Sequence, residues 1–370
     1  MKILEIVPSL SPGGGERLVV DLSNELSKTH NVVLMTLWDE RLSKNSFYKQ
    51  DVDEHVHYVN ACLVEKNKIS VLWGVVKEIL RVNPDIVHLH MCHMFAALAV
   101  VLLGKRYKFY LTIHNNVKNI YDTSKIKLLF NLLGRLNLLR FVTISQTNYD
   151  DFKEVYPMLE NHLVYNGRKA LVPTNKIKAV EEEINCLKND KRSKVFLHIA
   201  RCSQQKNQIV LVKAFNKLIR DGLNGILLII GADFEESELG KILREEACDR
   251  IHFIGVRNNV ADYIFSSDAF VLSSLWEGMP ITLLECINSG LPVVSTPTCG
   301  AVDVITNGEN GILSRDFSVD GFADAIKDFC IKETDIKAFC EKNKGNSKYD
   351  IQYCAEEYSK IFQKELERKL

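Results

Sequence analysis

Two glutamates, Glu277 and Glu285, stand on either side of a chain break and could both address one ligand. They belong to the run Glu277-Gly278-Met279-Pro280-Ile281-Thr282-Leu283-Leu284-Glu285. The residues ahead of it, 267–274, read as a short buried strand ending in small polar side chains. Gly278 and Pro280 then break the chain, and 281–289 reads as a helix. Glu277 therefore falls in a strand-to-helix loop at the carboxyl end of a parallel sheet, with Glu285 about one turn into the helix. Ligands of open α/β sheets bind at that edge, and amides at a helix N-terminus attract phosphate. One acid on a loop and one on a helix suit hydrogen bonds to sugar hydroxyls beside a diphosphate. An isolated pair of this kind is more often a solvated loop residue and an ordinary helix face, so the assignment turns on its company.

Basic residues supply the counter-charge. A strand over 194–200 runs into Arg201-Cys202-Ser203-Gln204-Gln205-Lys206-Asn207, and a helix follows through Leu218. Arginine forks onto two phosphate oxygens and lysine adds a mobile point charge, so Arg201 and Lys206 suit a diphosphate, although basic loop residues are usually just solvated. Near the start of the chain, Ser11-Pro12-Gly13-Gly14-Gly15-Glu16-Arg17 follows the first strand and opens a helix through Leu26. Gly14 and Gly15 let the backbone approach a ligand whose negative charge meets the first helical amides; a plain tight turn explains the glycines equally well. The spacing is not Gly-x-Gly-x-x-Gly, which disfavours a nicotinamide cofactor.

His114 ends the strand 109–113, where an imidazole can hydrogen bond a substrate hydroxyl and titrates near neutral pH; a lone histidine there is more often structural. His88 and His90 project from one face of the strand 85–90, and with Cys92 and His93 they could suggest zinc. No second ligand cluster accompanies them in the sequence, so no metal site is expected. His88 and His93 read as structural, and the role of His90 stays open.

Together these runs resemble the retaining, nucleotide-sugar-dependent glycosyltransferases of family 4 (glycosyltransferase group 1), which have the GT-B fold. The likeness rests on Glu-x7-Glu at Glu277 and Glu285, and on Gly290-Leu291-Pro292-Val293-Val294-Ser295-Thr296 as the strand after it. It also rests on a Gly-Gly-x-Glu loop ending at Glu16, a Thr-x-His motif ending at His114, and the Arg-x4-Lys spacing at Arg201 and Lys206. The resemblance covers Met1 to roughly Gly311. It implies that Glu277 contacts the transferred sugar, Glu285 the nucleotide ribose, and that His114 lies by the reacting carbon. Gly14 and Gly15 would lie under the donor diphosphate and the acceptor. Arg201, Lys206 and the turn Gly278, Met279, Pro280, Ile281 would hold the diphosphate, taking the place of a metal. No cofactor is implied beyond a nucleotide-sugar substrate, with UDP favoured by family frequency.

Three positions depart from the family pattern. Ala200 and Asn207 replace the glycines flanking Arg-x4-Lys, and Gly231-Ala232-Asp233 stands where Gly-x-Gly is usual. Val164-Tyr165-Asn166-Gly167-Arg168 resembles the Asn-Gly-x-Asp hinge without its acid. The first bears on backbone geometry, the second and third on hinge or donor preference.

The elements needed to position these residues are legible as alternation of apolar strands with amphipathic helices, which argues for parallel sheets covered on both faces. Strands are expected at 2–7, 31–37, 85–90, 109–113 and 141–144, then at 194–200, 225–230, 251–254, 269–272 and 292–295. Each set reads as a Rossmann-like unit, giving an α/β chain with domains at 1–168 and 192–345. Residues 169–191 read as the connection, partly helical around 179–187, and 346–370 carries an amphipathic C-terminal helix. The resemblance implies that the domains face each other across a cleft and that the tail helix crosses back onto the first.

The whole chain of 370 residues is 46% hydrophobic and 25% charged, as for a soluble globular protein. Its 47 basic and 47 acidic side chains cancel, so no global field points to nucleic acid. Ten cysteines without paired short spacings, and no signal peptide, suggest a reducing compartment. Cys92, Cys202, Cys286 and Cys299 read as small buried hydrophobes. Residues 102–140 hold eight basic residues against one acid. Within 124–140, Lys127, Asn131 and Arg135 line one helical face while Leu128, Leu129, Leu132, Leu133 and Leu136 fill the rest. A helix resting on anionic lipid and a helix covering the first sheet both fit that pattern, and both readings stand.

The expected activity is transfer of a hexose, with retention, from a nucleotide diphosphate sugar to a hydroxyl of a glycan or lipid-linked acceptor, in a cytoplasmic or inner-face peripheral enzyme of surface polysaccharide synthesis. The alternatives are a sugar-nucleotide epimerase of the same fold, against which the Glu-x7-Glu spacing argues, and a catalytically inactive carbohydrate-binding protein, which would be expected to have lost Glu277, Arg201 or Lys206.

Overall fold

Central strands in this chain are continuous apolar runs rich in β-branched residues, the composition that a parallel sheet covered on both faces requires. The computed structural model describes residues 1–368 except 42, 64–67, 92–93, 121–122 and 346–347. It divides into two units, Met1–Lys169 with Lys348–Leu370, and Ala170–Ser347.

The first unit runs β1 (Lys2–Val7), α1 (Gly14–Ser27), β2 (Asn31–Trp38), β3 (His57–Leu63), α2 (Lys68–Val82), β4 (Ile86–His90), α3 (Met94–Leu103), β5 (Lys108–Ile113), α4 (Val117–Ile120), α5 (Ser124–Arg135), β6 (Leu139–Thr143), α6 (Gln146–Val155) and β7 (Asn161–Leu163). The second begins with α7 (Ile177–Leu187), β8 (Lys194–Ile199), α8 (Gln208–Arg220), β9 (Gly225–Ile230), α9 (Glu238–Glu246) and β10 (Ile251–Gly255). It continues through α10 (Val260–Phe265), β11 (Ala269–Leu272), α11 (Ile281–Asn288), β12 (Val293–Ser295), α12 (Cys299–Val304), β13 (Gly311–Leu313) and α13 (Val319–Asn343). The last helix, α14 (Ile351–Glu367), belongs to the first unit.

Both sheets are parallel throughout, in the orders β3-β2-β1-β4-β5-β6-β7 and β10-β9-β8-β11-β12-β13. The strand order reverses direction on either side of β1 and again of β8, so β1/β4 and β8/β11 are the switch points at which an open sheet leaves a crevice beyond its carboxyl ends. These are the strands that feed Gly14, His90, Arg201 and Glu277.

Residues 170–191 lie within the second unit, where α7 contacts α10 and buries Val180 and Ile184. The tail helix does return to the first unit. Asp350 caps it by accepting from the Gln352 amide at 2.7 Å. Tyr358 and Phe362 are fully buried, and Glu365 lies 2.9 Å from Lys108 and pairs with Arg140. A Cβ at Gly167 would lie 2.4 Å from the Asp350 carbonyl, so the returning chain needs a glycine there.

The helix α5 packs one face on the first core and leaves leucines exposed on another. Phe130 and Leu133 are buried in the first core, whereas Leu128, Leu132 and the following Leu136 are 73%, 52% and 58% exposed. The basic stretch around it is partly spent inside the unit: Lys108 and Arg140 meet Glu365, and Lys118 meets Asp151 and Glu154, each at 2.8 Å. Among the described residues, no helix is long and apolar enough to cross a membrane.

Candidate active site

In the second unit two loops leave neighbouring strands and are knitted together. The chain after β8 makes a single 3-10 turn, Gln204–Lys206, and then takes Asn207 into the left-handed region at φ 50° before α8 begins. Asparagine tolerates that conformation better than most residues, so it fills the place of a glycine without losing the turn. Asp233 does the same at φ 69°. Both departures from the glycine pattern therefore keep backbone conformations that glycine favours. Gly231 itself is obligatory, since a Cβ there would lie 2.0 Å from the Ala200 carbonyl oxygen.

Buried Gln208 holds the loop from below, its Nε2 donating to the Arg201 carbonyl at 2.8 Å. His198 lies beneath, with Nδ1 2.8 Å from the Val271 carbonyl oxygen. Burial, with a smaller push from Lys206, drives its pKa down to about 4 against the backbone hydrogen bond that would raise it.

The loop after β11 completes the site. The Leu275 amide donates to the Gln205 carbonyl at 2.8 Å, Gln205 Nε2 to the Trp276 carbonyl at 2.9 Å, and Ser273 Oγ to the Lys206 carbonyl at 2.8 Å. Glu277 is 8% exposed. Its Oε1 accepts from Lys206 Nζ at 2.5 Å and from Ser274 Oγ at 2.6 Å. Arg201, on the same loop as Lys206, is exposed. Gly278 and Met279 lead to Pro280, the N-cap of α11, which has no side-chain cap, so the helix start at Ile281 keeps its positive pole for an anion. A Cβ at Gly300 would lie 2.3 Å from the Gly278 carbonyl oxygen, which pins this turn against the start of α12. Glu285, 8% exposed, sits within α11 beside Cys286, whose thiol is raised well above its ordinary range by burial and then by Glu285. Cys202 is likewise buried and raised by burial, as expected for a packing residue, and Cys299 is half-buried. The nine cysteines among the described residues are free thiols, and Cys92 lies outside those residues.

The first unit gathers a different set at its strand ends. Gly14 and Gly15 start α1, and a Cβ at Gly15 would lie 2.6 Å from Met91 Sδ, just beyond β4. His114 Nε2 lies 3.0 Å from His90 Nδ1, and His90 Nε2 lies 2.6 Å from Glu5 Oε2. His88 Nδ1 is 2.9 Å from the same carboxylate oxygen, off the direction of a good hydrogen bond. His88 Nε2 reaches Thr112 Oγ1 at 2.7 Å, which reaches the Tyr358 hydroxyl of α14 at 2.8 Å.

Burial alone would raise the Glu5 carboxyl, but the neighbouring His88 and the hydrogen bond from His90 hold it down at about 2. Burial and then His88 push His90 down to about 4, against the pull of Glu5, and burial with His90 and His88 places His114 well below its ordinary value. Glu5, His88 and His90 also form the one cluster among the described residues whose ligand atoms lie close enough to share a cation, all within 4.8 Å. His93 and Cys92, weighed with them in the sequence, lie outside the described residues.

Sequence reasoning missed Glu5, Ser274, Gln208 and Tyr358. For Glu5 a signal was present: it is the one acid inside the apolar run of β1, and a buried carboxylate requires partners. At the hinge, Lys169 stands where the pattern has an acid, and the guanidinium of Arg168 before it pairs with Asp21 on α1, which also pairs with Arg17.

The chain belongs to the group 1 glycosyltransferases. Residues 171–345 match the family described as Glycosyl transferases group 1, and residues 12–169 match Glycosyltransferase Family 4. N-acetyl-alpha-D-glucosaminyl L-malate synthase of Bacillus anthracis is 26% identical over 66% of this chain and 65% of its own. UDP-Gal:alpha-D-GlcNAc-diphosphoundecaprenol alpha-1,3-galactosyltransferase of Escherichia coli is 30% identical over 43% of this chain and 40% of its own. Anabaena HepE, solved in complex with UDP and glucose, superposes with a TM-score of 0.77 at 18% identity, covering 98% of this chain and all 100% of its own. The fold is GT-B, with two Rossmann-like domains.

Proposed function

We propose that this glycosyltransferase moves a hexose from a nucleotide diphosphate sugar, UDP-sugar before others, to a hydroxyl of a glycan or lipid-linked acceptor, with retention at the anomeric carbon. The observation that carries the reading is the knitted pair of loops in the second unit, which sets Lys206 on Glu277 and places Arg201 and the uncapped start of α11 at the same sheet edge. Cations and helix amides at one edge fit a departing diphosphate, and a half-neutralised carboxylate beside them fits the sugar that it leaves.

In this reading Arg201, Lys206 and the amides after Gly278 take up the negative charge as the C1–O bond to phosphate breaks and its electron pair leaves with the nucleotide. The acceptor oxygen bonds C1 on the same face, and its proton passes to the departing diphosphate. No protein nucleophile is needed. Glu277 steadies the positive charge on the sugar, Glu285 the ribose, and His114 a sugar hydroxyl. Gly14 and Gly15 give the donor and acceptor room at the start of α1. The cations serve where a divalent metal otherwise would, so the transfer is metal-independent.

Two observations support a lipid-linked acceptor at a membrane surface: the exposed leucine stripe Leu128, Leu132, Leu136 on and just past α5, and exposed Lys125 and Arg135 on the same helix. The named Escherichia coli relative acts on a diphosphoundecaprenol-linked sugar. Surface polysaccharide synthesis on the inner face of the membrane accommodates both. The test is incubation with a panel of labelled sugar nucleotides and a lipid extract, following UDP release and the anomeric configuration of the product by NMR. Labelled sugar in the extract with its donor configuration kept is expected. An inverted product overturns retention, and a donor epimerised without acceptor overturns transfer.

A further inference from the structure

The polar chain in the first unit has one consistent hydrogen-bond direction, and it ends on His114. Glu5 and His90 come from β1 and β4 and His114 from the residue just past β5, three adjacent strands, and their side chains meet on one side. Glu5 is fully buried and ionised, so it can only accept, and the proton on His90 must sit on Nε2, 2.6 Å away. Burial keeps His90 neutral, which leaves its Nδ1 with a lone pair. That lone pair faces His114 Nε2 at 3.0 Å, and a hydrogen bond forms only if His114 carries its proton on Nε2. His114 is itself held neutral, so Nδ1 is its remaining lone pair. Of the three histidines on this face only His114 keeps any accessible surface, 8% against 0% for His88 and His90.

We propose that Glu5 and His90 are positioning residues that fix His114 in its Nε2–H tautomer and so present Nδ1 as a hydrogen-bond acceptor to a substrate hydroxyl. The proposal rests on the placement of His114 in the transfer site. It deepens that placement by assigning the direction of the hydrogen bond: the ring accepts one from a hydroxyl rather than donating one. The neighbouring contacts hold the arrangement in place. The His88 ring lies tilted against that of His90, with centroids 3.9 Å apart, and its far nitrogen is tied through Thr112 to Tyr358. The helix that returns at the end of the chain thus closes the polar face on the side away from His114.

Glu5→Gln is the informative variant, because a carboxamide can donate to His90 Nε2 and reverse the whole chain, leaving His114 protonated on Nδ1. Nitrogen-15 NMR of histidine-labelled protein reads the tautomer directly. The wild-type spectrum should show His114 protonated at Nε2, and Glu5→Gln should shift the proton to Nδ1. Turnover should then fall by about a hundredfold, the scale of a misplaced acid–base partner, with UDP affinity unchanged.

A wild-type His114 protonated at Nδ1 overturns the proposal, and it does so without any variant having to fold. A reversed tautomer with unchanged turnover also overturns it, while the assignment as a glycosyltransferase stands. Absence of transfer by the wild-type protein on every donor removes the transfer reading instead, and the spectrum still decides the tautomer.

Discussion

The two units place opposite chemistries at the carboxyl ends of their sheets. The first presents buried, neutral imidazoles ordered by one buried carboxylate, and the second presents one exposed and one half-buried cation, one paired carboxylate and a helix start. A neutral nitrogen with a fixed lone pair discriminates hydroxyls by direction, and its attraction is short in range. Cations and amide dipoles attract a diphosphate over a longer distance but leave its orientation loose. In the proposed reaction, capture of the nucleotide falls to the second unit, with Glu277 as its one acid that works on the sugar, and the direction of a hydroxyl contact to His114 of the first.

That division is tested hardest at Glu277. Glu277→Gln keeps the Ser274 hydrogen bond but removes the charge that faces both Lys206 and, in the proposed reaction, the positive sugar. Loss of one preorganised electrostatic partner costs about 3 kcal/mol, roughly a hundredfold in turnover. UDP affinity should hold or tighten, because Lys206 no longer shares itself with a carboxylate. Turnover and calorimetric UDP affinity measured on one donor decide it, and a variant with wild-type turnover would falsify the role given to Glu277. Glu285→Gln should weaken UDP binding more than it slows transfer.

The next effect is smaller and separates two cations. Arg201→Ala and Lys206→Ala should each weaken UDP binding by about tenfold, the scale of one charge-assisted hydrogen bond. Their stabilities should differ. Arg201 is exposed, so its loss leaves the melting temperature in place, whereas removing Lys206 strands Glu277 as a buried charge. Breaking a buried pair costs about 3 kcal/mol or more, and the 18% exposure of Lys206 lowers this to about 1–2. Unchanged UDP affinity in both variants would take the diphosphate away from the second unit.

Acid should affect the two units alike, since each buries a neutral histidine. His90 and His198 are held at about 4 when folded against an ordinary 6.5, so the folded state favours the uncharged ring. Their contribution is complete above about pH 6.5 and is lost as pH falls toward 4. Glu5, at about 2 against 4.5, contributes above about pH 4.5 and loses its share as pH falls toward 2. Hydrogen exchange should show protection of β1, β4, β8 and β11 declining together between pH 6.5 and 4. Decline confined to one unit would show that the other histidine is not neutral in the folded state.

What the sequence disclosed follows from how each element is covered. Strands 2–7, 225–230 and 269–272 were placed to the residue, and all three lie inside their sheets. The three strands that went unread, β3, β7 and β13, are edges. In β3 every residue is partly or fully exposed, and β7 and β13 have only three residues each, so none leaves a long apolar run. At the site, residue types and spacing pointed to the charged groups, because charge in a loop is visible in one dimension. The contact of Lys206 with Glu277, 71 positions away, and that of His90 with Glu5, 85 away, depend on strand order and are not. A replaced glycine misled in the opposite direction: Asn207 looked like a departure in backbone geometry and turns out to supply the left-handed conformation itself, as Asp233 also does.

The smallest expected effect concerns α5, where the comparison between units extends to their outer surfaces. Its exposed leucines lie at Leu128, Leu132 and Leu136, one helical stripe, while Phe130 and Leu133 on another face already fill the core, so folding gives the stripe no occupant. An anionic bilayer suits it better than a neutral one, because Lys125 and Arg135 are exposed on the same helix. Each basic side chain near such a surface contributes about 1 kcal/mol, and several of the stretch, Lys108, Lys118 and Arg140, are already engaged by acids of the first unit. Binding should therefore be weak and reversible. The protein should sediment with anionic vesicles at low salt and be released as salt shortens the screening length, and Leu128→Ser with Leu132→Ser should abolish sedimentation while leaving turnover on a soluble acceptor unchanged. Equal sedimentation with neutral vesicles would remove the electrostatic half of the argument, and no sedimentation with either kind would leave the stripe without a membrane role.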